Sequence, residues 1–129
     1  SKSEYLTFIG GSPVGNGTGL LMTYAQNNRI ELSDFVDNKS DGIQSSSGGI
    51  GMGFSNYNSF RDIIIASNHS GLGMSISRNN YFSNLRIYNN SFRNSQGLSF
   101  GHGVLMENSD NNIFSFISCC IVIVFLLVL

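Results

Sequence analysis

Gly71-Leu-Gly-Met-Ser-Ile-Ser-Arg-Asn-Asn80 is one of four related stretches in a chain of 129 residues. Its opening phrase returns as Gly19-Leu-Leu-Met22, Gly49-Ile-Gly-Met52 and Gly103-Val-Leu-Met106, and an Asn follows each Met by six residues, at Asn28, Asn58, Asn80 and Asn112. Successive copies begin 30, 22 and 32 residues apart. A strand-length phrase that recurs at about 22 residues with insertions of variable length is the mark of a solenoid.

Aligning the copies outward from this phrase gives apolar columns. Leu20, Ile50, Leu72 and Val104 form one, the four Met the next, and Tyr24, Phe54 and Ile76 a third. Apolar residues at i, i+2 and i+4 predict an extended strand with these three columns on its buried face. After the Asn come Ile30, Phe60, Phe82 and Phe114, then Ile63, Leu85 and Ile117, then Ile65, Ile87 and Cys119. Three short strands per repeat predict one coil of a parallel β-helix, each strand pairing with its equivalent about 4.8 Å away. No 3.6-residue stripe survives the Gly and Asn punctuation, so the fold class is all-β with about four to five short coils.

The polar columns keep the same steps. Asn38, Asn68 and Asn90 are expected to stack and hydrogen-bond along the axis, and to take left-handed turn conformations, which Asn tolerates. Asn16, Asn38, Asn68 and Asn89 also lie in glycosylation sequons, which a chain this rich in Asn and Ser forms by chance. Leu6 and Phe8 fit a strand of a partial coil at the start. At the far end Val122 stands where the Asn column would continue.

Only 12% of the residues are charged and the net charge is −1, which leaves no electrostatic footprint for nucleic acid or anionic lipid. Adjacent Cys119 and Cys120 lack metal-ligand spacing and read as small buried hydrophobes. The Met column faces the core rather than Cu(I), so neither a metal site nor a cofactor is expected. Ser1 is preceded by neither Met nor an apolar leader, as in a fragment or processed product.

These features divide the chain into a repeat domain at 1–120 and an apolar tail at 121–129. From Ile113 to Leu129 only Ser115 and Ser118 are clearly polar. As a helix this run would span about 25 Å, against about 30 Å of bilayer core. Two alternatives stand: a truncated membrane anchor contacting lipid, or a buried or truncated end.

The coils lengthen unevenly. Asn68-His-Ser-Gly71 is a minimal turn, whereas Lys39–Gly48 and Ser91–His102 are long at the same junction. Equivalent positions lie on one face, so two long loops would flank a notch about 10 Å wide. Asp41 and Ser45–Ser47, including Ser46, would form one wall, Gln96 and His102 the other, with His69 and Ser70 on the floor. Phe54, Phe60, Phe82 and Phe92 read as core, and Tyr57, Tyr81 and Tyr88 as exposed stacking candidates.

The phrases Asn-Asn-x-Ile/Phe and Asn-x-x-x-Gly-Ile resemble the right-handed parallel β-helix repeats of carbohydrate-binding proteins and sugar hydrolases, over about residues 19–119. That pectin-lyase-like group includes the NosD-type periplasmic proteins of copper-site maturation. The resemblance implies a right-handed helix, an extracellular or cell-envelope location, and polysaccharide as partner. Its enzymes are glycosidases and polysaccharide lyases. More narrowly, Ser40-Asp41-Gly42-Ile43 and Gly101-His102-Gly103 are similar to polygalacturonase motifs, which implies Asp41 as catalytic carboxylate and His102 as active-site histidine. A second alignment, through Gln96-Gly97-Leu98-Ser99-Phe100-Gly101, places Gln96 at the histidine. The paired-Asp and Arg-Ile-Lys motifs are absent. The first expectation is therefore a module that binds polysaccharide or belongs to a polysaccharide-processing enzyme. The alternatives are a non-enzymatic structural or adhesive solenoid and a NosD-like maturation protein.

Overall fold

A computed structural model describes residues 7–9, 17–38, 48–93, 99–100, 103–119 and 123–126. Its strands are β1 (Thr7–Ile9), β2 (Leu20–Thr23), β3 (Arg29–Val36), β4 (Gly48–Gly53), β5 (Ser59–Ala66), β6 (Ser70–Ser75), β7 (Tyr81–Tyr88), β8 (Phe92–Arg93), β9 (Ser99–Phe100), β10 (Val104–Glu107), β11 (Ile113–Cys119) and β12 (Ile123–Leu126). The chain is all-β. It alternates between two sheets, ordered β1-β3-β5-β7-β11 and β12-β10-β6-β4-β2, and every pairing within them is parallel. Parallel partners need a crossover between them, and here the other sheet's strand supplies it.

The register follows the sequence columns. Leu20, Ile50, Leu72 and Val104 lie side by side, as do Met22, Met52, Met74 and Met106. In the other sheet Ile30, Phe60, Phe82 and Phe114 align, followed by Ser33, Ile63, Leu85 and Ile117. These residues fill the space between the sheets as one core, with Phe60, Ile65, Leu72, Phe82, Leu85 and Ile87 fully buried. Burying each such side chain contributes about 1.5–3 kcal/mol. The Phe rings stack at 4.8 Å (Phe60–Phe82) and 4.6 Å (Phe82–Phe114), close to the separation of neighbouring strands.

Left-handed residues bend the chain at the same places in each repeat. Positive φ recurs at Tyr24, Phe54, Ile76 and Asn108, at Asn27, Tyr57, Asn79 and Asn111, at Leu32, Asp62, Asn84 and Phe116, and at Asp37, Ser67 and Asn89. The third set falls inside β3, β5, β7 and β11 and divides each into two segments, which accounts for three strand-like stretches per repeat.

Two expectations are corrected here. The column Tyr24, Phe54, Ile76 is solvent-exposed rather than buried, at 54%, 42% and 37%. Strands β2, β4 and β6 end one residue earlier, and the left-handed residue breaks the alternation that would have turned its side chain inward. Likewise the stacked Asn are not themselves left-handed; the residue before each one is, so the ladder side chain is aimed along the stack.

Two Asn ladders and a Ser ladder close the turns. Asn58 donates its backbone N–H (2.9 Å) and its Nδ2 (3.0 Å) to Oδ1 of Asn80, and donates Nδ2 again to the carbonyl of Ala25 (3.0 Å). Asn80 repeats this toward Asn112 and the Ser55 carbonyl, and Asn68 toward Asn90 and the Phe35 carbonyl. Ser55 Oγ accepts from the N–H of Ala25 and donates to the carbonyl of Gly53. Among the described residues no buried side-chain N or O lacks a partner.

The second sheet runs one strand beyond the repeat columns, since β12 pairs with β10 from Val104↔Ile123 to Glu107↔Leu126. No helix among the described residues is long and apolar enough to cross a membrane.

Candidate functional site

Four of the six sequence-predicted site residues, Asp41, Ser46, Gln96 and His102, lie outside the described residues, as do Ser45 and Ser47. His69 is half-buried in the bend before β6, and Ser70 is buried at the start of β6, opposite Gly48. The longer second loop contains the antiparallel pair β8–β9, joined through Phe92↔Phe100 and Arg93↔Ser99.

Ser70 borders a feature that the loop lengths did not reveal: a trough of about 350 Å³ across the outer face of β2, β4, β6 and β10. Outward positions in register across these strands read Leu21, Gly51, Gly73, Leu105, and then Thr23, Gly53, Ser75, Glu107. Two adjacent glycines between two leucines leave bare backbone between apolar walls, with Leu21 and Leu105 three strand spacings apart, about 14 Å. The exposed ridge Tyr24–Phe54–Ile76 follows directly on the strand ends. The Tyr24 and Phe54 rings lie 4.9 Å apart and 10° from parallel, so they present edges outward and form a wall rather than a stacking platform.

The glycines fall into two kinds. Gly19, Gly49 and Gly71 face inward where a Cβ has no room: at Gly19 it would lie 2.7 Å from the Gly49 carbonyl oxygen, at Gly49 it would collide with Ile65, and at Gly71 with the Gly103 carbonyl oxygen. Gly53 and Gly73 have nothing within 4 Å of a Cβ, and Gly51 would meet the tip of Leu21 at 3.2 Å and Thr18 Cγ2 at 4.0 Å. Neither space nor backbone conformation requires glycine at Gly53 and Gly73, whereas at Gly51 the Leu21 tip would have to shift by a few tenths of an ångström. A strand interior pays about 0.5–1 kcal/mol for each glycine relative to Ala, and such glycines often mark a bulge, a tight bend, or the close approach of a ligand or another backbone.

Chemically the trough is nearly neutral. Among the described residues lining it, Glu107 is the one ionisable group, and hydroxyls come from Thr23, Ser70 and Ser75. β4 and β6 are interior strands, so their backbone N–H and C=O groups are engaged in pairing on both sides. Met22, Met52 and Met74 are buried in the core, and Met52 and Met74 also border the trough from below. Among the described residues no group of three or more His, Cys, Asp or Glu could hold a metal ion. The signal for the trough stands in the third residue of the repeated phrase, which reads Leu21, Gly51, Gly73 and Leu105 through the four copies.

On the opposite face, Asn84 donates to Asp62 at 2.6 Å, and Arg61 pairs with Asp62 at 3.2 Å, between two hollows of about 530 and 420 Å³. Tyr57, Tyr81 and Tyr88 are exposed as expected, Phe60 and Phe82 are core, and Phe54 is not. Comparison with protein-family models, curated proteins and solved structures finds no match to this chain.

Proposed function

We propose that the chain is a right-handed parallel β-helix module of the cell envelope or extracellular space that holds a polysaccharide along the glycine-floored trough. The observation that carries this reading is the outward pair Gly51 and Gly73, in register on adjacent strands, with open space beyond Gly73 and the side-chain tip of Leu21 beside Gly51. Right-handedness follows the near-universal hand of crossovers between parallel strands in one sheet. A ligand crossing the strands meets bare backbone at successive strand spacings, which suits a linear polymer of flat, ring-shaped units. The apolar walls suit the C–H faces of sugar rings, and the hydroxyls at the rim suit their oxygens.

The reading is binding rather than cleavage by these residues. Glycoside hydrolysis commonly uses two carboxylates, and the described lining supplies one, Glu107. Whether Asp41 and His102 add catalysis is tested by assaying reducing-sugar release by the whole chain and by its Asp41→Ala and His102→Ala variants. Binding is tested by glycan-array screening of wild type and Gly73→Val. Bound glycans lost in the variant support the module; no response to any glycan contradicts it.

A structural or adhesive role is the second reading, favoured by the unbroken Asn and Ser ladders, which rigidify the stack without reference to a ligand. It predicts that filling the trough changes no interaction of the protein.

A further inference from the structure

We infer that the outer face of the sheet β1-β3-β5-β7-β11 is a self-association surface, on which a second copy of the chain docks about a two-fold axis running along β5. The trough lies on the other sheet and stays open in both copies.

β5 is the middle strand of the five. A two-fold axis along it, between two facing sheets, sets β3 over β7 of the second copy and β1 over β11. Such an axis keeps the strand direction, so each cross-strand row meets the same row in reversed order. Asp34, Ile64 and Arg86 form one row on β3, β5 and β7, and all three border the hollow of about 420 Å³. Two strand spacings, about 10 Å, separate the carboxylate from the guanidinium, so they do not pair within one copy. Across the axis Asp34 meets Arg86 of the second copy, Arg86 meets Asp34, and Ile64 meets Ile64. That is the self-complementarity an isologous dimer requires. The row Arg29, Ser59, Tyr81 likewise sets each guanidinium over a tyrosine ring, a favourable pairing. Arg61 and Asp62 lie near the axis and pair within each copy at 3.2 Å, so like charges meet there as neutral pairs.

The make-up and size of the face agree with this occupant. Leu32, Tyr81, Tyr88, Ile113 and Phe116 are exposed on it, Phe116 by 84%. Apolar area of this kind, rich in aromatic residues and Arg, marks protein contact. At about 24 Å across the five strands and about 26 Å along β3, β5 and β7, the face offers roughly 600 Å² per copy. The total of about 1,200 Å² stands at the lower end of stable interfaces.

Sedimentation velocity of the whole chain over a range of micromolar concentrations tests this, with Asp34→Arg and Arg86→Asp run separately and mixed. The wild type is expected to pass from monomer to dimer as concentration rises and to go no further. Either reversal alone sets like charges together at both contacts and should raise the dissociation constant about tenfold or more. An equal mixture of the two variants places opposite charges at both contacts, so a dimer holding one of each should form with at least wild-type affinity. That recovery also shows that both variants are folded. A monomer at every concentration, assembly beyond a dimer, or a dimer that neither reversal weakens overturns the inference. Weakening by both reversals without recovery in the mixture of folded variants, judged by their thermal unfolding, overturns it as well.

Discussion

Oδ1 of Asn58 accepts two hydrogen bonds from Asn28, one from its backbone N–H at 2.9 Å and one from its Nδ2 at 3.0 Å, although 30 residues separate the two in the chain. Both residues are almost fully buried. The amide is matched to this place because it accepts from the repeat before and donates to the repeat after.

Asn58→Ala therefore removes the two hydrogen bonds that Asn28 donates to Oδ1 and one of those that the Ala25 carbonyl accepts, its other donor being the Asn56 N–H. Each hydrogen bond lost costs about 0.5–1.5 kcal/mol. Urea unfolding should show a lower midpoint by several such increments; an unchanged midpoint would mean that water replaces the ladder.

Asn58→Asp adds a charge facing Oδ1 of Asn80. Burial and that oxygen both favour the protonated acid, so its folded pKa is raised above the unfolded value of about 3.9. Stability relative to wild type is then best retained below that value, and is lost as pH rises through it toward the folded pKa. Unfolding midpoints measured at low and neutral pH should move apart in that order, and the reverse order would contradict the ladder.

The two kinds of glycine should separate cleanly. Gly71→Ala forces a Cβ onto the Gly103 carbonyl, and overpacking of this sort costs about 1–3 kcal/mol. Gly73→Ala, one strand position from Leu72 on the outer face, should be neutral or gain about 0.5–1 kcal/mol. Equal losses in the two variants would show that the outer glycines also serve the fold.

Much of this was legible in the sequence, for identifiable reasons. The Met and Phe columns were readable because each repeat needs the same volume at the same core position, as at Met52 and Met74 or Phe60 and Phe82. Tyr24, Phe54 and Ile76 were misread because counting by twos presumes that the strand continues, and a positive φ at each ends it. Gly51 and Gly73 stood in view but carry no side chain for a motif search to find. The notch residues Asp41, Ser46, Gln96 and His102 depend on loops with no repeat to constrain them.

Ile76 sits at φ 48, a conformation that costs an L-residue about 1–2 kcal/mol and that Asn tolerates. Its side chain is more than a third exposed, so little packing is lost on replacement. Ile76→Asn should raise the unfolding free energy by about 1 kcal/mol. A fall of that size would show that the exposed ridge contributes more to stability than its backbone strain removes.

The in-register stacking of the repeats underlies every one of these expectations, and the chain has only 4 Met residues with which to test it. Methyl-labelled Met observed by nuclear Overhauser spectroscopy should give strong cross-peaks for Met22–Met52, Met52–Met74 and Met74–Met106, whose strands are neighbours, and a much weaker one for Met22–Met74, about 10 Å apart. Absence of the three neighbour cross-peaks, or a pattern that skips a repeat, would contradict the stacked architecture and the trough built on it.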